Sequence, residues 1–142
     1  MEGIFGIFSF SGRINQQQLQ NMASTLGLQS EANFMLDEQV GFGIKRLPLV
    51  TEVQTSNPTW NKDGSICVIL NGDVYNYLEL RNDLEHHGYQ FQSNSDAEMA
   101  ANLYLDRGEE FLNGTPCMII QNILYTRAQD KAEAKASRLL LR

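Results

Sequence analysis

The sequence predicts an α+β protein in which antiparallel sheets are layered with helices. Strand-like apolar runs come first and helical segments stand between β-rich runs. No strand–helix alternation with a glycine-rich phosphate loop is present, which argues against a doubly wound parallel sheet. The 142 residues suit one domain and are few for two. A chain of about that size withdraws roughly 68–70% of its unfolded surface from water, so a core can form without disulfides or metal. Apolar residues make up 42% and charged residues 20%, a globular rather than a disordered composition.

The elements follow in order. Residues 3–10, GIFGIFSF, are short, apolar and rich in β-formers, and Ser11-Gly12 ends them, predicting a strand buried on both faces. The strand begins almost at the first residue, where chains fray unless something holds them. In NQQQLQNMASTLG, Asn15 is an N-cap, Leu19, Met22 and Leu26 recur at helical spacing, and Gly27 is a stop. This is an amphipathic helix of about three turns. Residues 40–50, VGFGIKRLPLV, read as a strand that Pro48 forces to an edge, a bend or an exit. A polar loop with a β-turn at Asn57-Pro58 follows. SICVIL and VYNY then flank Asn71-Gly72-Asp73, and Asn-Gly between two β-rich runs is the strongest short hairpin signal.

A helix is expected from Asn76 to His87, with Tyr77, Leu80 and Leu84 on one face and Gly88 ending it. Ser95 and Glu98 have the spacing of a capping box, opening DAEMAANLYLDR, which Gly108 closes. GEEFLNG, the apolar CMIIQNILY and a basic, alanine-rich end complete the chain.

The formal charge is −6, from 11 basic and 17 acidic residues, which disfavours nucleic acid or an anionic membrane as the main partner. Residues 1–126 hold 6 basic and 15 acidic side chains, net −9, whereas 127–142 hold 5 and 2, net +3. This contrast predicts a domain over 1–126 and a basic helical tail over 127–142. The tail has only a thin apolar stripe of Ala128, Ala132, Ala136 and Leu139. It is either a solvated helix or one that docks on an acidic face of a second subunit, as in a homodimer. No apolar run approaches the roughly 20 residues of a membrane helix. The start has an acid at position 2 and no basic stretch, unlike a secretion signal, so a cytoplasmic protein is expected.

Cys67 and Cys117 each lie in an apolar run and read as small buried hydrophobes. No Cys/His spacing suggests a metal site or a disulfide framework, and none is expected. His86-His87 suit the C-terminal dipole of a helix rather than a metal. Trp60, within NPTWNKDG, is read as packing back on the domain rather than meeting a partner.

Several segments together carry a resemblance: GIFGIFSFSG, then Gly41 to Leu47, then ILNGDVYNYLELRNDLEHHGYQF and NSDAEMAANLYLDRGEEFLN. In that order they resemble the N-terminal glutaminase domain of asparagine synthetase and its relatives, the class II (N-terminal-nucleophile) glutamine amidotransferases. The resemblance runs from about Gly3 to Asn113. It implies a four-layer αββα sandwich of two antiparallel sheets; because the family domain runs some tens of residues longer, the chain is expected to be a separately encoded piece, a truncated one, or part of an interrupted gene. In such enzymes an N-terminal cysteine thiolate attacks the glutamine side-chain amide, with its own α-amine as base. The ammonia passes to a synthetase domain that adenylates a carboxylate. L-glutamine or a similar amino acid and an ATP-dependent synthetase domain or subunit are the implied partners. ATP and magnesium belong to that synthetase domain, whose Ser-Gly-Gly-x-Asp loop is absent, so no cofactor is expected in this chain.

The resemblance also implies roles. Asn71 and Gly72 match the oxyanion hole, in which removing one donor can cost about 10²–10³ in rate. A hairpin turn explains the same pair equally well. Arg46 matches the arginine that clamps the glutamine α-carboxylate, a task for a planar bidentate fork. Leu47, Pro48, Leu49 and Val50 match the backbone lining the pocket. Asp73 stands where Glu is usual, and Asp96 matches the acid that pairs the α-amine; an acid at a helix start also suits the dipole regardless of function.

Two departures bear on activity. The nucleophile position holds Glu2, and a carboxylate leaves a tetrahedral adduct more readily than the amide nitrogen does, so the adduct collapses backwards. Initiator Met is normally removed only before small residues, so Met1 is expected to stay and displace the α-amine base. The family's His-Arg-Gly-Pro-Asp stretch is also missing, with GLQSE over Gly27–Glu31 in its place. The expectation is a domain without glutaminase activity, retained as a structural or regulatory part of an amide-forming system. A non-catalytic amino-acid-binding module, and an active enzyme in which Glu2 is a sequence alteration, remain as alternatives.

Overall fold

Two antiparallel sheets organise the chain, one in each of two units, Met1–Pro58 and Thr59–Arg142. The computed structural model describes residues 2–27, 30–46, 57–112, 117–126 and 138–141. The α+β class with antiparallel sheets is as the sequence predicts.

In the first unit, β1 (Glu2–Phe8), β2 (Ala32–Asp37) and β3 (Val40–Arg46) form a sheet in the order β1-β3-β2, and α1 (Gln16–Thr25) packs on one face. The central strand explains the packing. Its sequence alternates Gly41 and Gly43 on the helix side with Phe42 and Ile44 on the other, both almost fully buried. A Cβ at Gly41 would lie 2.8 Å from Leu19, the buried centre of α1. A Cβ at Gly43 would lie 2.5 Å from the ring of Phe5 and 2.7 Å from Cβ of Phe34, which flank it in register from β1 and β2. Two aromatic side chains thus close over Gly43, which offers none of its own. Helix α1 starts with a full capping box between Asn15 and Gln18 and stops before Gly27, as predicted. At its other end the buried Lys45 amine donates to the Ala23 carbonyl (3.1 Å), placing a cation at the helix C-terminus.

Strand β2 is not foreseen from ANFMLD, whose alternation is weak. It forms because Glu38-Gln39 turns the chain back and Phe34 gains the Gly43 face. Strand β1 differs from the doubly buried strand predicted. It is an edge strand in which Phe5 is buried while Gly6 is exposed and Phe8 is 45% exposed. Phe10, beyond its end, is almost wholly exposed and meets Phe8 edge to face (centroids 4.8 Å). The Pro48 exit lies outside the described residues.

In the second unit, β4 (Thr59–Trp60), β5 (Ile66–Val74), β6 (Cys117–Thr126) and β7 (Arg138–Leu141) pair in that order. The hairpin falls between β4 and β5, not at Asn71-Gly72. Asn61 builds it: its side-chain oxygen accepts from Ile66 N–H (3.0 Å) and its amide donates to Ser65 Oγ (3.1 Å), with Asp63-Gly64 at the tip. Ser65 hydrogen bonds hold the Asp63 carboxyl below its ordinary pKa. Trp60 therefore sits in a strand opposite Cys67, half-buried, rather than in a loop. Cys67 is a buried free thiol, as expected; the Cys117 side chain lies outside the described residues.

Strand β5 runs straight through Asn71-Gly72. A type I′ turn needs positive φ at both central residues, and among the described residues no non-glycine has one. Instead the register against β6 shifts there, Asn71 facing Gln121 and Gly72 facing Ile119, and Gly72 takes φ 150. Helices α2 (Tyr77–His86) and α3 (Asp96–Arg107) form where predicted. With a 3₁₀ turn over Gly108–Leu112, they cover the buried β5 side chains Ile66, Val68, Leu70 and Val74 using Leu80, Leu84, Met99, Leu103 and Phe111. The predicted helical tail is overturned where it is described: Arg138–Leu141 pairs antiparallel with β6, an open sheet edge outweighing helix propensity. Residues 127–137 lie outside the described residues.

Gly43→Ala should cost about 1–3 kcal/mol by overpacking between Phe5 and Phe34, and Leu19→Ala about 2–5 kcal/mol by leaving a cavity. Urea unfolding checks both. An unchanged midpoint for Gly43→Ala would mean that Phe5, Phe34 and the Asn33 carbonyl, 2.6 Å from the added Cβ, all give way without cost.

Candidate functional site

The predicted site residues fall into two groups, one in each unit. In the second unit, at the end of β5, Asn71 and Gly72 are half-buried, Asp73 is exposed and Val74 is buried. The next element to arrive is α3. Ser95 caps it by accepting from Glu98 N–H (3.1 Å), which makes Asp96 its first residue. The Asp96 carboxylate accepts a hydrogen bond from Val74 N–H, fastening the helix start to the strand end. The structure thus brings Asn71, Gly72, Asp73 and Asp96 together.

Burial pushes the Asp96 carboxyl above its ordinary pKa; the Val74 hydrogen bond opposes this, and the charge of Asp73 adds to it. Two carboxylates with a desolvated member attract a cation, and a primary ammonium has both the charge and the donors for them. Asn71 brings a side-chain amide and Gly72 a backbone N–H to the same strand end.

The capping box is only half made. Instead of returning to Ser95 N–H, the Glu98 carboxylate accepts from Gln92 N–H (2.6 Å), Ser93 N–H (2.8 Å) and Ser93 Oγ (2.5 Å). Ser95 N–H goes to Ser93 Oγ (3.2 Å). Three donors satisfy a buried carboxylate better than the single cap amide would. Arg81 holds the same loop from α2, donating to the Ser93 carbonyl (3.1 Å), Asn94 Oδ1 (2.6 Å) and Tyr77 Oη (3.1 Å). Sequence reasoning missed both roles. The Ser95–Glu98 spacing marked the place but not the partner, and Arg81 carried only its helical spacing from Tyr77 and Glu85.

In the first unit, Arg46 ends β3 and is half-buried, and its register partner on β1 is Glu2. The acid at the predicted nucleophile position and the predicted carboxylate clamp therefore occupy one cross-strand position. Leu47, Pro48, Leu49 and Val50 lie outside the described residues.

Among the described residues, no group of three or more His, Cys, Asp and Glu side chains could hold a metal ion. His86 Nδ1 lies 2.6 Å from the Asn82 carbonyl and His87 Nδ1 3.2 Å from Asp106. Among those residues no helix is long and apolar enough to cross a membrane.

Comparison with known proteins bears on these groups. The family described as the glutamine amidotransferase domain matches residues 1–133. Asparagine synthetase (glutamine-hydrolysing) 2 of Bacillus subtilis (strain 168) is 33% identical over 119 residues, covering 80% of this chain and 16% of that protein. Asparagine synthetase (glutamine-hydrolysing) 1 of the same organism is 37% identical over 94 residues, covering 66% of this chain and 15% of the relative. Asparagine synthetase (glutamine-hydrolysing) 3 of Arabidopsis thaliana is 39% identical over 83 residues, 58% of this chain and 14% of the relative. The chain thus spans 14–16% of the length of these relatives.

Because the folded state raises the pKa of Asp96, its ionised form costs stability above that pKa, and the cost fades as pH falls through it. Asp96→Asn should therefore melt at a higher temperature than the parent at about pH 7, with the gap closing toward about pH 4. Thermal unfolding across that range checks it; a lower Tm at neutral pH would mean that the charge stabilises the fold.

Proposed function

This chain belongs to the glutamine amidotransferase domain family, and we propose that it is an asparagine synthetase-like member that keeps the amino-acid-binding frame without the glutaminase chemistry. The observation that carries this reading is Glu2, standing opposite Arg46 in the register of β1 and β3. The family resemblance puts the nucleophilic thiol at this residue. A carboxylate that adds to the glutamine amide carbonyl gives a tetrahedral adduct with two possible leaving groups. The carboxylate is far the better one, so the C–O bond just formed breaks again and no ammonia leaves. Neither an oxyanion hole at Asn71 and Gly72 nor a clamp at Arg46 changes that preference.

On this reading Asp73 and Asp96 are acids for an α-amine, Arg46 is the cation for an α-carboxylate, and Asn71 and Gly72 are an idle oxyanion hole. The domain serves as a structural or regulatory part of an ATP-dependent amide-forming system. Its partner is a synthetase domain or subunit, to which ATP and magnesium belong. The half-buried Asp96 next to Asp73 favours a second reading alongside the first, in which an amino acid is bound without being hydrolysed.

Purified protein incubated with glutamine should release neither ammonia nor glutamate above the buffer background. Sustained turnover that Glu2→Gln abolishes would overturn the proposal. If the acid pair holds an amine, saturating glutamine should raise the Tm: a ligand at about 100 times its dissociation constant adds about 2.7 kcal/mol. The rise should disappear in Asp73→Asn/Asp96→Asn.

A further inference from the structure

Glu98 is 2% exposed, yet its carboxylate has no cation among its hydrogen-bond donors. A charge so buried is tolerated only when its oxygens are well supplied. Here the supply comes wholly from Gln92 and Ser93, two neighbouring residues of the loop between α2 and α3. Arg81 takes the other side of the loop. Its Nη1 donates to the Ser93 carbonyl and Asn94 Oδ1, its guanidinium carbon lies 4.6 Å above the Phe91 ring, and its Nε is tied to Glu85 (2.8 Å). Each residue from Phe91 to Asn94 is therefore held by Glu98 or by Arg81. Ser95 and Asp96 follow without a break, so the clasp fixes where α3 begins and where Asp96 stands.

We propose that Glu98 and Arg81 form a clasp on residues 91–95 and are positioning residues for Asp96, setting its carboxylate on Val74 N–H and beside Asp73. The functional part of this proposal rests on the reading of Asp96 as an amine-binding acid. The clasp itself does not. A Glu98 that merely stabilised the fold would lower the Tm on substitution without altering the surroundings of Asp96. A positioning role also changes what Asp96 feels. The groups that act on it are the Asp73 carboxylate and Val74 N–H on β5, and its own charge in turn acts on the Tyr77 phenol of α2.

The test is NMR titration of the Asp96 side-chain carboxyl in the parent, Glu98→Gln, Ser93→Ala and Arg81→Met. Val68→Ala serves as a control that loses stability in the same unit without touching the loop. In the clasp variants Asp96 should titrate closer to the ordinary Asp value, since its burial and its approach to Asp73 relax together; in Val68→Ala it should not move. Ser93→Ala removes one hydroxyl donor to Glu98 together with the acceptor of Ser95 N–H, and leaves both amides to Glu98, so it decides the matter if Glu98→Gln does not fold. An unmoved Asp96 in a folded Ser93→Ala, or an equal movement in Val68→Ala, overturns the clasp. For binding, glutamine affinity should fall about tenfold in the clasp variants. Unchanged affinity beside a moved titration overturns the positioning role. A parent that shows no glutamine-dependent Tm shift overturns the amine reading, while the titration still judges the clasp.

Discussion

The second unit is placed by one ladder, the pairing of β5 with β6. The pairing runs the whole length of β5, from Ile66 opposite Thr126 to Val74 opposite Cys117, and shifts register once, after Asn71. One face of β5 carries Ile66, Val68, Leu70 and Val74 into the core under α2 and α3. The residues at its end inherit their surroundings from that ladder. At the strand end Val74 N–H donates to the carboxylate of Asp96, the first residue of the arriving helix.

The first unit rests on a different device. Its central strand gives up side chains at Gly41 and Gly43 so that Leu19 of α1 and the rings of Phe5 and Phe34 can fill the space. Strand glycines ordinarily weaken a sheet, and here the loss is offset by burial of larger neighbours. The same strand carries Arg46 at its end, opposite Glu2.

The site region also shows where stability is given up. Asp96 is kept half-buried next to another acid, and its ionised form opposes folding at neutral pH. The loop before it is held by a buried carboxylate as well as by the packing of Phe91, which specifies one geometry and leaves the loop sensitive to small changes. Fixing a charged group in one geometry suits the recognition of a small cationic group, where an error of about 1 Å matters.

Much of this was legible in the residues. Asn15 and Gln18 announced α1, Ser95 announced α3, and Gly88 and Gly108 marked helix ends, because caps and stops act within a few residues of chain. The matched segments single out Asn71, Gly72, Asp73, Asp96 and Arg46 as candidates. What failed was whatever depended on a distant partner. Asn71-Gly72 looked like a hairpin because β6 begins more than forty residues later. β2 went unseen until Phe34 had Gly43 to cover, and the segment Arg138–Leu141 read as helix until β6 offered it an edge. Glu98 was placed correctly and given the wrong acceptor role, since only the folded loop shows which amides need it. By itself the sequence determined the local signals and the family. The tertiary structure alone decided strand partners, register and the environment of each acid, because those energies arise from contacts between residues far apart in the chain.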